Sequence, residues 1–389
     1  MPDPPCFPLA ARLDNRPVTN PVTNPLLLLI GLLAQAAADS PPDLPPPLAG
    51  LPPAVVTVDS RRDEIVIELP PVDLPANLVH EGMHAGHGDG KGPGFPPVVL
   101  VTMPVSGALH GFRVELVDSA GARLPDALLH HLNFIDPFHR ELFLPISRRV
   151  IAAGKETGGQ RLPWLLFGLP FEKGDRLVLN AMLHNPTATA LTGVRTRLVI
   201  SYTPGSRPWP LFDVFPWQLD VLFPAGDKAF DLPPGHSAKS YEAKPALAGK
   251  IVGLGGHVHE RALELSLTDV TSGTVLWAAA PERDSTGRVV GVPVARFYRW
   301  NRVGVPIDTS HVYRVSVAYR NESGQLLPQG GMGVIGGLFA PDDPHAWPAA
   351  DMSDPLYVKD LAHYLRLGSS ETPAVAAPTA SAGHHHSHD

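Results

Sequence analysis

Many short segments of the chain alternate apolar and polar residues. Residues 112–117 are Phe-Arg-Val-Glu-Leu-Val, and residues 262–267 are Ala-Leu-Glu-Leu-Ser-Leu. A period of two is typical of a strand with one buried face. Comparable or continuously apolar segments predict further strands at 55–58, 64–69, 97–103, 128–134, 141–144, 176–184, 194–202, 212–222, 238–243, 250–257, 274–278, 312–319 and 332–339. A helical period of useful length appears only after residue 356.

The breaks between these segments favour an all-β fold. The chain has 45 prolines, and proline interrupts helices and closes turns. The stretches "DVTSG" and "RNESG" are typical of hairpin turns. Short strands at even spacing predict β-sandwiches. The stretch "TPGSRPWP" interrupts the pattern near 203–210 and divides the chain into two such domains.

We therefore predict the following organisation. Residues 1–38 form a signal peptide, 39–54 an extended Pro-rich linker, 55–205 an N-terminal sandwich, 206–225 a linker, 226–345 a C-terminal sandwich, and 346–389 an extension with a disordered His-rich tail.

Composition narrows the possible functions. Charged residues make up 18% of the chain and the net charge is −7, and without a basic stripe we expect no nucleic-acid partner. The one cysteine, Cys6, excludes an intrachain disulfide and a cysteine-rich metal site. Any metal must therefore be bound by His, Met or carboxylate side chains.

The N-terminal segment predicts export. The apolar run from Leu26 to Ala38 is shorter than the roughly 20 residues of a membrane-spanning helix. Its end, Ala34-Gln35-Ala36, fits a signal-peptidase site. We expect a periplasmic or extracellular protein with no membrane span in the mature chain. An uncleaved anchor is the alternative.

Four groups of side chains are candidates for metal chemistry. His257 and His259 are two residues apart, so on a strand they share a face. The neighbours His130 and His131 can hold one ion only if their strand is kinked or at an edge. The other candidates are His184, at the end of an apolar strand, and Met332, between glycines.

Each candidate also has a simpler interpretation. The His257/His259 pair could be a solvated strand face, His184 a buried hydrogen-bonded histidine, and Met332 a core methionine. Two further segments could bind metal or simply be solvated. They are the loop with His80, Met83, His84 and His87, and the tail with His384, His385, His386 and His388.

The order His-His, His, His-x-His, Met resembles that of the copper type II, ascorbate-dependent monooxygenases, the family of peptidylglycine α-hydroxylating and dopamine β-monooxygenases. "MLHNPT", "GKIVGLGGHVH" and "GGMGVIGGLFAPDD" are more similar to uncharacterised bacterial and plant nodulin-like relatives. The resemblance implies two jelly-roll-like sandwiches in tandem, each with one copper ion. It implies ligands His130, His131 and His184 for one ion, and His257, His259 and Met332 for the other, which would be the catalytic one.

The resemblance also implies an activity. A C–H bond of a small-molecule or peptide substrate would be hydroxylated with O2, and ascorbate or another small reductant would supply electrons. We expect a monomer. Two other functions stay open: an exported copper-binding or carrier protein without catalysis, and an interaction module with structural metals or none.

Overall fold

The computed structural model describes residues 44–78, 92–154, 159–222, 228–299 and 301–366. The predicted signal peptide, the loop with His80, Met83, His84 and His87, and the His-rich tail lie outside these residues.

The described residues form mainly β-strands. In the first half they are β1 (Val55–Asp59), β2 (Glu64–Glu68), β3 (Val72–Leu74), β4 (Val99–Thr102), β5 (Gly107–Val117), β6 (Leu129–Arg140), β7 (Ser147–Gly154), β8 (Gln160–Arg161), β9 (Phe167–Phe171), β10 (Arg176–Leu183), β11 (Leu191–Pro204) and β12 (Phe212–Asp213). In the second half they are β13 (Phe215–Asp220), β14 (Ala229–Leu232), β15 (Gly235–Ala243), β16 (Gly249–Val258), β17 (Ala262–Asp269), β18 (Thr274–Ala279), β19 (Glu282–Arg283), β20 (Val289–Gly291), β21 (Ala295–Arg296), β22 (Tyr298–Arg299), β23 (Arg302–Val303), β24 (Val305–Ile307), β25 (Tyr313–Asn321) and β26 (Leu327–Pro341).

The first sandwich has two sheets. One follows the order β1-β2-β11-β5-β9-β12, with β3 on β11 and β8 on β5, and the other the order β4-β10-β6-β7. Inward-facing residues of both sheets, such as Ile67, Leu132 and Leu198, share one apolar cluster. The alternation along the strands thus arises from burial of one face of each sheet.

The second sandwich is built in the same way. One sheet follows the order β13-β26-β16-β21, with β14 on β26 and β24 on β16, and the other the order β15-β25-β17-β18. Leu254, Leu265 and Val317 belong to the core between them. The all-β fold of jelly-roll-like sandwiches predicted for the chain is confirmed.

The prediction of a strand at 141–144 is wrong, because this segment is an irregular connection between β6 and β7. Its residues Leu142, Phe143 and Leu144 are buried in the core of the second sandwich. An apolar run indicates burial, and here the burial is in the neighbouring sandwich. The segment predicted as a linker, 206–225, also differs, since it contains β12 and β13.

In the part of the chain that the structure describes, two α-helices lie outside the sandwiches. A short helix, α1 (Pro46–Ala49), occupies part of the segment predicted to be extended, and its Leu48 is fully buried. In the predicted C-terminal extension, α2 (Pro355–Arg366) is ordered. Tyr357 and Leu361 of α2 pack with Leu48 and with Val178 of β10. No helix among the described residues is long and apolar enough to cross a membrane.

Candidate metal centres

A β-bulge brings the adjacent His130 and His131 together. In the pairing of β10 with β6, Met182 lies opposite His131 and Leu183 lies opposite Leu129, so His130 is an extra residue in its strand. A bulge places two residues opposite one and re-aims their side chains. The imidazole centroids of His130 and His131 are accordingly 4.0 Å apart.

His184 joins this pair from the end of β10. Its ring centroid is 5.5 Å from that of His130. Its Nε2 donates a hydrogen bond to the carbonyl oxygen of Ala127, and its backbone N–H bonds to the carbonyl of Leu128 at 2.9 Å. A carbonyl oxygen only accepts hydrogen bonds, so Nε2 carries the proton and Nδ1 keeps a lone pair. Metal-binding histidines commonly have such a bond on the other ring nitrogen.

The second group forms where β16 and β26 separate. The register pairs His257 with Val334 and Val258 with Gly333, and its continuation by one residue leads to His259 and Met332. The rings of His257 and His259 have centroids 5.7 Å apart. His257 is exposed and His259 half-buried, whereas Met332 is only 9% exposed.

Tyr319 holds the backbones of this second group in place. It lies on β25, in the opposite sheet, and is fully buried. Its hydroxyl accepts hydrogen bonds from the N–H of His259 at 2.9 Å and the N–H of Met332 at 3.0 Å, and donates to the Met332 carbonyl at 2.5 Å. Burial raises the pKa of Tyr319. The hydroxyl thus bonds to both strands at the point where their own ladder ends.

The glycines around Met332 have a structural reason. A Cβ at Gly331 would lie 2.4 Å from the Phe230 ring, and one at Gly333 would lie 2.9 Å from the Val317 side chain. The groups that approach these two glycines are thus core side chains. Since Gly333 faces the core, the neighbouring Met332 faces away from Val317.

Polar contacts lie beside each of the two groups. Asp220 of β13 is paired with Val334 and bonds to Lys228 at 3.0 Å. Burial would lower the pKa of Lys228, but the negative charge of Asp220 raises it overall. The carbonyl of Tyr364 in α2 accepts a bond of 3.2 Å from Asn180, two residues before Met182. The last turn of α2 therefore contacts β10, the strand that carries Met182.

The donor chemistry fits copper. Imidazole binds copper in both oxidation states, and a thioether favours Cu(I). Within the described part of the chain, no three His, Cys, Asp or Glu side chains are arranged to hold an ion as they stand. Binding at the first group therefore requires the rings to turn so that their nitrogens converge, and the second group requires the sulfur of Met332.

Sequence patterns alone do not identify Tyr319 or the bulge at His130. Tyr319 lies in an alternating strand, and the alternation shows that its side chain faces inward but not what its hydroxyl bonds to. The neighbouring histidines His130 and His131 require a kinked or edge strand if they are to hold one ion, but the sequence does not show which residue is extra.

Comparisons with known proteins give only low similarities. No family model and no curated protein matches the chain. Among solved structures it is similar to PNGF-II, with 11% identity over 72% of this chain and 66% of that one and a TM-score of 0.32. It is also similar to a protein of Sulfolobus Turreted Icosahedral Virus, with 11% identity over 78% of this chain and 97% of that one and a TM-score of 0.31. Identities and scores this low say nothing about chemistry, so the histidine groups are interpreted from their own geometry.

Proposed function

We propose that the protein binds two copper ions and acts as a monooxygenase that hydroxylates a C–H bond with O2 and a small reductant. His130, His131 and His184 would hold one ion. His257, His259 and Met332 would hold the other and form the catalytic site. When bound, copper would supply the activation of O2 and the transfer of electrons.

The position of Met332 beside His259 is the observation that carries this proposal. The two residues are distant in sequence, yet both backbones bond to the hydroxyl of Tyr319. A thioether beside two imidazoles forms a soft donor set suited to Cu(I), the oxidation state that reacts with O2. Retention of Cu(II) alone would not need the sulfur.

The first group would store and deliver the second electron. The bond from His184 to Ala127 fixes its tautomer and leaves Nδ1 for the ion. Such a fixed ring orientation limits rearrangement when the charge on the ion changes. Ascorbate or another small donor would be the reductant, and a small molecule or peptide the substrate.

An exported copper carrier without catalysis is the second candidate. Its support is exposure, because His131 and His257 are both exposed. A carrier exchanges its ion with solvent or with a partner, and exposed ligands suit that task. Both candidates fit export, which N-terminal sequencing of the mature protein checks: the first residue should lie near positions 37–41.

Ascorbate-dependent O2 consumption across a panel of substrates distinguishes the two functions. The copper-loaded protein should consume O2 with a matching substrate and yield a hydroxylated product. The variant H257A/H259A should lose this activity and keep one copper ion. Tight copper binding without substrate-dependent O2 consumption would favour the carrier.

A further inference from the structure

Met182 lies directly opposite His131 in the pairing of β10 with β6. Residues opposite each other on antiparallel strands share a face, with Cβ atoms about 5 Å apart. Because His130 is the extra residue of the bulge, both imidazoles of the pair lie beside this methionine. Met182 is also two residues before His184, which directly follows β10, so alternation along the extended chain places both residues on one face.

Burial along β10 confirms which way Met182 faces. Its neighbours Ala181 and Leu183 are 1% and 0% exposed and lie in the core of the first sandwich. Met182 is half-buried. It therefore faces away from that core, on the surface that carries the three histidines.

Packing separates the methionines into two kinds. Met103 and Met352 pack into apolar clusters of the protein. Among the described residues, Met182 and Met332 belong to none of the four apolar clusters. The two methionines that lie beside histidines are thus the two that do not pack in a core cluster.

We propose that Met182 is a thioether ligand of the first copper site, which then binds Cu(I) through His130, His131, His184 and Met182. This inference rests on the proposed function, since it takes copper as the ion. A sulfur ligand favours the reduced ion. It would hold the electron-storing site as Cu(I) until the second site draws on it.

X-ray absorption of the reduced, copper-loaded protein tests the assignment. The starting variant is H257A/H259A/M332I, which removes the ligands of the second site and leaves one copper ion. Its spectrum should contain a sulfur scatterer. The sulfur should disappear when M182L is added and persist when M83L is added, since Met83 is another methionine near histidines in the sequence. Circular dichroism should show the same fold for the starting variant and for its two derivatives. If H257A/H259A/M332I is unstable, the single variant M332I serves as the starting protein instead.

Affinity gives a second readout. We expect the addition of M182L to lower the Cu(I) affinity of the starting variant by at least about tenfold. Loss of a residue that merely supports a metal ligand already lowers metal affinity by about this factor, and loss of a ligand should do no less. Bound copper with only nitrogen and oxygen scatterers would overturn the role of Met182 and leave the proposed function intact. Loss of the sulfur signal on adding M83L would also overturn the role of Met182 as a ligand. A starting variant that binds no copper would contradict both proposals.

Discussion

The hydroxyl of Tyr319 is 2.5 Å from the carbonyl oxygen of Met332 and 3.0 Å from its amide nitrogen. One side chain of the opposite sheet therefore replaces a strand partner for both backbone groups of Met332. It also accepts the N–H of His259 at 2.9 Å. The spacing between His259 and Met332, two proposed copper ligands, thus depends on Tyr319, which is not itself a proposed ligand.

Replacing Tyr319 by Phe should destabilise the protein. The two buried backbone groups of Met332 and the half-buried N–H of His259 would lose their partner, and an unsatisfied buried group costs about 1–3 kcal/mol. The free energy of unfolding from urea titration should fall by at least this amount. Tyr298→Phe is the matched control, since this ring packs on Phe167 in a half-buried position. An equal, small loss in both variants would show that the Tyr319 hydroxyl does not hold the strands.

The helix α2 should be held by a buried ion pair. Arg149 forms two hydrogen bonds with Asp360, and both side chains are almost completely buried. Asp360→Ala leaves the guanidinium without its partner, and breaking a buried pair in this way costs about 3–5 kcal/mol. Lys359→Ala, at an exposed position on the same helix, should change stability little. Similar urea midpoints for the two variants would contradict this role.

Glu141 should make stability depend on pH. It is fully buried, and burial raises its pKa from 4.5 to about 7, although the N–H groups of Arg149 and Gln218 bond to it. Between these values the folded protein binds a proton that the unfolded chain has lost. Stability should therefore fall as pH rises from about 4.5 to about 7, by about 3 kcal/mol in total.

The variant Glu141→Gln isolates this contribution from that of other groups. The side-chain NH2 group of the glutamine would be placed among backbone N–H donors, which cannot accept its hydrogen bonds. The variant protein should therefore be less stable than wild type at low pH. The difference between the two proteins should shrink as pH rises to about 7, because only wild type gains the buried charge. A difference that is constant across this range would show that Glu141 stays ionised in the folded state.

Met332→Ile should separate the two oxidation states of copper. The change keeps bulk and removes sulfur, so the fold and Cu(II) binding at His257 and His259 should largely persist. Cu(I) affinity should fall steeply, as should any oxygenase turnover. Equal Cu(I) affinity in wild type and variant would show that Met332 is not a copper ligand.

The fold was predictable where one face of a strand is buried. Alternation at 112–117 and 262–267 indicates β5 and β17, because a period of two follows directly from one-sided burial. The conformation of segment 141–144 was not predictable, because an apolar run does not show which of the two sandwiches it packs against. Leu142 and Phe143 enter the core of the sandwich that follows them in sequence.

The candidate sites were predictable as residue types and not as geometry. His257 and His259 share a face for a local reason, the pleat of a strand. The approach of Met332 depends on pairing between β16 and β26, which brings together distant segments. The bulge at His130 depends on one extra residue relative to β10, and this becomes visible only when the two strands are aligned.

Copper content is the most direct test of the central claim that the protein has two separate copper sites. The protein without residues 367–389 should be loaded, freed of loosely bound metal, and analysed for copper per chain. Wild type should retain about two ions, and both H257A/H259A and H130A/H131A should retain about one. Removal of both pairs should leave none. Full copper content in either double variant, or no copper in wild type, would contradict the account.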